Sequence, residues 1–388
     1  MSRIAFYAPL KPAEHPVPSG DRRMARSLMA LLASLGHEVE TACRLRSYDR
    51  TGDARRQARL AGLGTRLAER LGQRYARRPA QVLPACWFTY HVYHKAPDWL
   101  GPPIVRQLGI PYVVAEASIA RKQAQGPWAL GYEASRRAIA AADLVLALTR
   151  QDEEGLLAAG VPAARVTRFP PFLDTAPLRA AAAQRDAARA RLAAAHGLDP
   201  ARPWLLAVAM MRADVKAISY HLLAQAMTAL AETGFADRDW QLLLAGDGEA
   251  RPAVEAAFAH LPQARFLGLV PAGELPELHA AADLYAWPAC NEAYGMAMLE
   301  AQAAGTPVVA GDEAGVPDIL AHGETGLLVA PRDPLALAAA VATLLDDPAR
   351  RHRLGRQAAQ RTLAEHDVAV ARGRLAQALA GIGIAGSA

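Results

Sequence analysis

The sequence predicts an α/β protein built from two Rossmann-like halves. Three observations predict it. The chain is 388 residues long, enough for two or three ordinary domains. Short apolar strands alternate with helical stretches, the pattern of parallel sheets. That alternation pauses near residues 170–200 and then restarts. Hydrophobic content of 52% and charged content of 21% suit a globular chain with a sizeable core.

The first half opens with a strand at Ile4–Ala8. A loop over Pro9–Asp21 follows, carrying Pro9, Pro12, Pro16, Pro18 and Gly20. Arg22–Leu35 reads as an amphipathic helix, with Leu28, Leu31, Leu32 and Leu35 at helical spacing. Gly36 suits its C-terminal cap, and Glu38–Ala42 starts the next strand. Further strands are expected at Gln81–Leu83, Trp87–Tyr90, Tyr112–Ala115, Leu144–Leu148 and Val166–Phe169. Pro170-Pro171 breaks the pattern, and residues 176–197 form one helix rich in Ala and Arg. The second half is expected to hold strands at Trp204–Ala209, Trp240–Ala245, Ala264–Leu267, Leu284–Ala286, Pro307–Val309 and Gly326–Val329, with a helix at Ile218–Leu230. The expected domains are 1–172 and 200–364, with a C-terminal helical stretch, 365–388, crossing back to the first.

The formal net charge is +5, which suits anionic partners without naming one. Cys43, Cys86 and Cys290 are odd in number and widely spaced, so a disulfide framework is not expected and a reducing cytoplasm fits. No signal peptide is visible, and no apolar run reaches the ~18–20 residues of a membrane span. Residues 44–78 hold eleven Arg against Asp49, Asp53 and Glu69, a local net charge of 11 − 3 = +8. Leu60, Leu63, Leu67, Leu71 and Tyr75 make one stripe at helical spacing there. Such a helix packs on the core with a solvated basic face, or lies against an anionic membrane as a peripheral contact.

The richest segment runs from Pro288 to Val309. Glu292 falls in a loop after a strand, and Glu300 falls within a helix starting near Gly295. A helix start of this kind offers free N–H groups and partial positive charge at a strand-end crevice, which suits phosphate or sugar hydroxyls. Taken alone, the two glutamates could equally be solvated surface residues. The segment as a whole, however, resembles the Glu-x7-Glu region of family 4 glycosyltransferases. It keeps Glu292, Gly295, Glu300, Ala301, Ala304, Gly305, Pro307, Val308 and Val309, and departs at Ala289, Ala293 and Tyr294. Ala310–Leu320, Gly323–Val329 with Asp333-Pro334, Gly246–Glu249 and Phe266–Val270 resemble further family segments in the right order.

The resemblance implies the GT-B fold, two Rossmann-like domains whose parallel sheets face each other across a cleft. It implies retaining transfer of a hexose-type sugar from a UDP- or GDP-sugar to a hydroxyl acceptor, a glycan or lipid-linked glycan. The leaving phosphate itself would assist the incoming hydroxyl, and no protein nucleophile is evident. Glu292 would face the donor sugar and Glu300 the ribose. Leu269 lies in the segment whose backbone meets the nucleobase. Arg212 and Lys216 would grip the diphosphate, although Met211 stands where the family usually has glycine, and the Arg–Lys spacing of four is short. Two fixed cations can stabilise the leaving diphosphate, so no metal and no further cofactor are expected.

In the first half, Gly20 resembles the family's glycine turn near donor phosphate or acceptor. His91 and His94 lie near a strand end and could serve the acceptor. The histidine that many relatives carry after the Pro111–Ala115 strand is absent, so Glu116, Ser118 or His94 could fill its place. The expected catalytic set is Glu292, Arg212, Lys216 and His94. The expected donor-binding set is Gly20, Gly246, Leu269, Tyr294, Gly295, Met296 and Glu300. Two rival readings remain at this point, a nucleotide-sugar epimerase of the same fold and a non-enzymatic binder of polyanions or membrane surfaces. Nucleic acid is not an expected partner.

Overall fold

The computed structural model describes residues 2–17, 19–232 and 240–385. Pro18, in the first expected loop, lies outside the described residues, as do Met1 and residues 386–388 of the expected terminal segments. The chain divides into two compact units, one formed by Met1–Pro170 with Val368–Ala388, the other by Pro171–Asp367.

The first unit runs β1 (Arg3–Tyr7), α1 (Gly20–Ser34), β2 (Glu38–Cys43), α2 (Ala54–Ala76), β3 (Pro84–Val92), α3 (Gly101–Leu108), β4 (Tyr112–Ala117), α4 (Ala129–Ala141), β5 (Leu144–Ala147), α5 (Arg150–Ala158) and β6 (Val166–Arg168). Its strands form a parallel sheet in the order β2-β1-β3-β4-β5-β6. Both faces are covered by helices, so β4 and β5 are buried at every residue, as parallel strands require.

The second unit begins with α6 (Ala176–Ala183) and α7 (Arg185–His196). It continues with β7 (Trp204–Val208), α8 (Val215–Leu230), β8 (Gln241–Ala245), α9 (Arg251–Phe258), β9 (Ala264–Gly268), α10 (Leu275–Ala281), β10 (Leu284–Trp287), α11 (Met296–Ala303), β11 (Val308–Gly311), β12 (Gly326–Val329), α12 (Pro334–Asp346) and α13 (Pro348–His366). Its parallel sheet is ordered β12-β11-β10-β7-β8-β9. The last helix, α14 (Val368–Ala380), belongs to the first unit, where Arg372 donates to the Ser34 carbonyl at the end of α1.

Three expected elements differ. Gln81–Leu83 is not a strand: Ala80–Val82 is a 3-10 turn, and the strand starts at Pro84 and runs to Val92. Pro79 and Pro84 bracket that apolar run and confine it to a turn. The expected helix over 176–197 is interrupted at Gln184. No breaker residue sits there. Instead, Arg185 is drawn to the Ala280 and Ala282 carbonyls at 2.6 and 2.8 Å and to Asp283 at 2.9 Å, and this tertiary anchor resets the helix axis. The final helical stretch is likewise divided at Asp367, whose carboxylate accepts from the Thr175 hydroxyl at 2.6 Å.

On α2 the leucine stripe is only partly the buried face. Gln57, Gly64, Ala68, Leu71, Gly72 and Tyr75 are buried, while Leu63 is 37% exposed. Gly64 and Gly72 let the helix lie directly against Trp99 and Gln107. Arg55, Arg56, Arg59, Arg66, Arg70, Arg74 and Arg77 are all exposed. At 100° per residue they fall in one stripe roughly opposite the buried face.

Candidate active site

In an open α/β sheet, ligands bind beyond the C-terminal strand ends where the strand order reverses. In the second unit that reversal lies between β7 and β10, because the chain leaves β7 for β8 on one side and later returns to β10 on the other. The loop after β7 carries Arg212 and leads to Lys216. The loop after β10 carries Glu292, Tyr294 and Gly295.

Asp214 caps α8, its carboxylate accepting from the Lys216 backbone N–H at 2.9 Å. This fixes Lys216 in the first helical turn. Its ammonium donates to Glu292 Oε1 and lies 5.6 Å from the Trp287 ring centre. Both side chains of the pair are 17% exposed, so the interaction is only partly screened by water. Arg212 is set differently. It pairs with Asp214 at 3.2 Å on the surface, where each side chain is more than a third exposed.

The Glu292 loop is tightly held. The Cys290 N–H donates to Ser219 Oγ at 3.2 Å, and the Gly315 N–H donates to the Glu292 carbonyl at 3.3 Å. Ala289 and Asn291 adopt left-handed backbone, φ 59° and 49°. Such residues cost about 1–3 kcal/mol each and recur at functional sites. Gly295, at φ 75°, caps α11 without a side-chain hydrogen bond. The first-turn N–H groups, including that of Met296, therefore face the crevice side of the helix start. Tyr294 is buried at 7% exposure beside them.

Glu300 is not a solvated helix-surface residue. It is 5% exposed, and its Oε2 lies 3.5 Å from Nε2 of the fully buried His279, which stacks on Tyr285. The Tyr285 hydroxyl bridges the Val208 N–H and carbonyl at 3.2 and 3.1 Å, joining β10 to β7 at the switch point. Neither His279 nor Tyr285 stood out in the sequence. Both lie in ordinary apolar stretches, with no motif to flag them.

Gly246 turns the chain after β8 at φ 147°. A Cβ there would lie 1.8 Å from the Ala209 carbonyl oxygen, so the glycine is what lets this turn press against the Arg212 loop. The Met211 N–H donates to the Asp247 carbonyl at 3.0 Å and locks the two loops together. Leu269, just beyond β9, is 78% exposed.

In the first unit the strand order reverses between β1 and β3. Gly20 begins α1 under the Ser19 cap, and a Cβ on it would meet nothing within 4 Å. Beside it, His91 Nδ1 lies 3.2 Å from Asp21 Oδ1 and 3.3 Å from Glu116 Oε1. His91 and Glu116 are both left-handed, φ 66° and 56°. Burial alone would lower the His91 pKa, but Glu116 and Asp21 outweigh it and raise the imidazole to about 9. Burial raises Glu116 to about 6, with His91 pulling the other way. Asp152, on α5, adds a third acidic group acting on both.

The structure thus sets His91, rather than His94, at the strand end. The His94 ring packs edge-on to Trp128, 5.7 Å between centres, and burial holds its pKa down at about 4. The Ser118 N–H donates to the Val92 carbonyl at 3.1 Å, extending the β3–β4 pairing.

Residues 202–347 match the family model described as glycosyl transferases group 1, and residues 19–172 match the glycosyl transferase 4-like domain. The chain is 33% identical over 291 residues to the alpha-D-kanosaminyltransferase of Streptomyces kanamyceticus, covering 72% of each chain. It is 38% identical over 146 residues to the D-inositol 3-phosphate glycosyltransferase of Corynebacterium glutamicum, a match spanning 36% of this chain and 35% of that relative. Among solved structures, Anabaena HepE in complex with UDP superimposes with a TM-score of 0.72 at 17% identity, covering 98% of this chain and all of that one.

Proposed function

Because the chain belongs to the family 4 type of glycosyltransferases, with the GT-B fold, we propose that it moves a hexose-type sugar from a UDP- or GDP-sugar to a hydroxyl acceptor with retention at the anomeric carbon. The acceptor is a glycan or lipid-linked glycan. The observation that carries this reading is the meeting of Lys216 and Glu292 at the switch point of the second unit, beside the uncapped start of α11. A cation and a row of N–H groups there match the diphosphate of a nucleotide sugar, and a carboxylate matches its sugar. Lys216 and the helix start take the diphosphate, and Glu292 accepts from hydroxyls of the sugar.

In the unliganded chain, the Lys216 ammonium is bonded to Glu292. An arriving diphosphate competes for the ammonium and releases Glu292 to the sugar. As the glycosidic bond lengthens, negative charge grows on the diphosphate, and Lys216 opposes that charge more strongly in the transition state than in the ground state. Arg212 supplies a second cation once drawn from Asp214. The UDP in the Anabaena HepE complex supports UDP as the nucleotide. In the first unit, His91, protonated near neutrality and held by Asp21 and Glu116, serves the acceptor side in place of the expected His94. No metal or further cofactor enters this scheme.

The reaction is tested by incubation with UDP- and GDP-hexoses and a panel of glycan acceptors, reading the product linkage by proton NMR. An α-linked product from an α-linked donor is expected. Epimerised donor with no product, or a β-linked product, would contradict the reading.

Glu300→Ala should weaken nucleotide affinity about tenfold, the loss of one charge-assisted hydrogen bond. Calorimetric titration with the nucleoside diphosphate checks this, and an unchanged affinity removes Glu300 from the ribose.

The basic stripe on α2 supports peripheral contact with an anionic membrane. No helix among the described residues is long and apolar enough to cross one. The affinity for phosphatidylglycerol vesicles, read by co-sedimentation, should fall about 100-fold, at about 1 kcal/mol per residue, when Arg59, Arg66 and Arg70 become Gln. Equal binding by the variant would leave the stripe as a solvated surface.

A further inference from the structure

A groove of about 450 Å³ opens on the second unit, lined by residues of α6, α10, α11 and α13. It lies away from the Lys216–Glu292 crevice. The groove uses Ala280 and Gly305, which precede β10 and β11, whereas the crevice lies past the opposite ends of those strands. Four strand residues separate the two by roughly 13 Å.

The floor is made of alanine and glycine, and the walls carry Arg179, Arg185, His352 and Arg356. Among the described residues, no carboxylate lines the groove. Asp283 pairs with the lining residue Arg185 and with Arg189, both at 2.9 Å, with Arg351 at 4.0 Å. One carboxylate facing three guanidiniums leaves surplus positive charge beside the groove. Asp186 acts on Arg185 more weakly than Arg189 and Arg351 do.

Helix C-termini attract cations, and that accounts for Arg185 and Arg189, which bond the last carbonyls of α10. It does not account for Arg179 and Arg356. Their guanidiniums bond to no described residue. Two unengaged guanidiniums over a small-residue floor, beside the Arg185, Arg189 and Arg351 cluster, fit an anion with several oxygens. Planar guanidinium forks match phosphate in particular, and the volume is in the range of small-ligand sites.

We propose that this groove binds the phosphate group of a soluble phosphorylated small molecule, at a site separate from the donor crevice. The test is calorimetric titration of the full chain with glucose 6-phosphate and with inorganic phosphate. It compares the unaltered protein, Lys216→Ala, and the double variant Arg179→Ala, Arg356→Ala. Both arginines are exposed, so the double variant keeps the fold, which circular dichroism verifies. Binding of either phosphate that survives Lys216→Ala and weakens about 100-fold in the double variant supports the site. Isotherms unchanged in the double variant, or no binding at millimolar phosphate, overturn it. A third arm uses vesicles containing phosphatidylglycerol. Vesicle binding that depends on Arg179 and Arg356, with neither soluble phosphate bound, assigns the groove to lipid and also overturns the proposal.

Discussion

Lys216→Ala should lower turnover by roughly 10²–10³-fold, the size of losing one preorganised donor at a developing oxyanion. The fold should survive. Lys216 sits in the first turn of α8, where the Asp214 cap binds its backbone N–H and not its side chain. The cost to stability comes from leaving Glu292 without its ammonium at a site only partly buried. That cost should vanish in the double variant Lys216→Ala, Glu292→Gln, whereas turnover should not recover. Lys216→Arg should retain part of the rate, because it keeps the charge and changes the geometry. Steady-state kinetics with a natural or surrogate donor, alongside thermal unfolding, separates these effects. A folded Lys216→Ala variant with unchanged turnover would remove the diphosphate role.

His91→Asn should lower turnover by about 10²-fold, the lower end for a positioned acid–base or hydrogen-bonding group. Asn is chosen because it tolerates the left-handed backbone at this position. The same variant carries a pH signature. The folded imidazole titrates at about 9, above the 6.5 of an unfolded histidine. Its contribution to stability is therefore complete below pH 6.5 and is lost as pH rises through 9. That contribution amounts to at most about 3 kcal/mol. The groups facing His91 are Asp21 from α1, Glu116 from β4 and Asp152 from α5. Glu116 titrates near 6, so the window from pH 6.5 to 9 reports on His91. Denaturant unfolding across that window should show a decline in the unaltered protein and a flatter profile in His91→Asn. Parallel profiles would show that the imidazole is not held protonated by the two carboxylates.

The alternating strands and helices were legible because the central strands are apolar runs buried on both faces of a parallel sheet. Trp204–Ala207 and Leu144–Leu148 show this: every residue in both runs is buried. Elements whose limits depend on distant partners were not legible. Nothing local marks Gln184 as a break, since it is the anchoring of Arg185 on Ala280, Ala282 and Asp283 that divides the helix. The Glu292–Gly295 loop and the start of α11 could be read from their spacing, because a glycine that must turn left-handed before a helix leaves a local mark. The contact of Lys216 with Glu292 spans 76 positions in sequence and becomes visible only through the strand order. The choice between His91 and His94 turned on where β3 ends. Ending the strand at Tyr90 made the two histidines equivalent loop residues. Its continuation to Val92 puts His91 at the switch point and sends His94 into packing against Trp128.

The second unit is proposed to hold a nucleoside diphosphate at Lys216 and the start of α11. The most direct test is a thermal-shift screen against UDP, GDP, ADP, dTDP and their sugar conjugates. A ligand at 100 times its dissociation constant stabilises the folded chain by about 2.7 kcal/mol, well within reach of the method. A shift confined to one uridine or guanosine nucleotide and its sugars, and lost in Lys216→Ala, is the expected result. No shift with any nucleotide, or one that persists undiminished in Lys216→Ala, would contradict it.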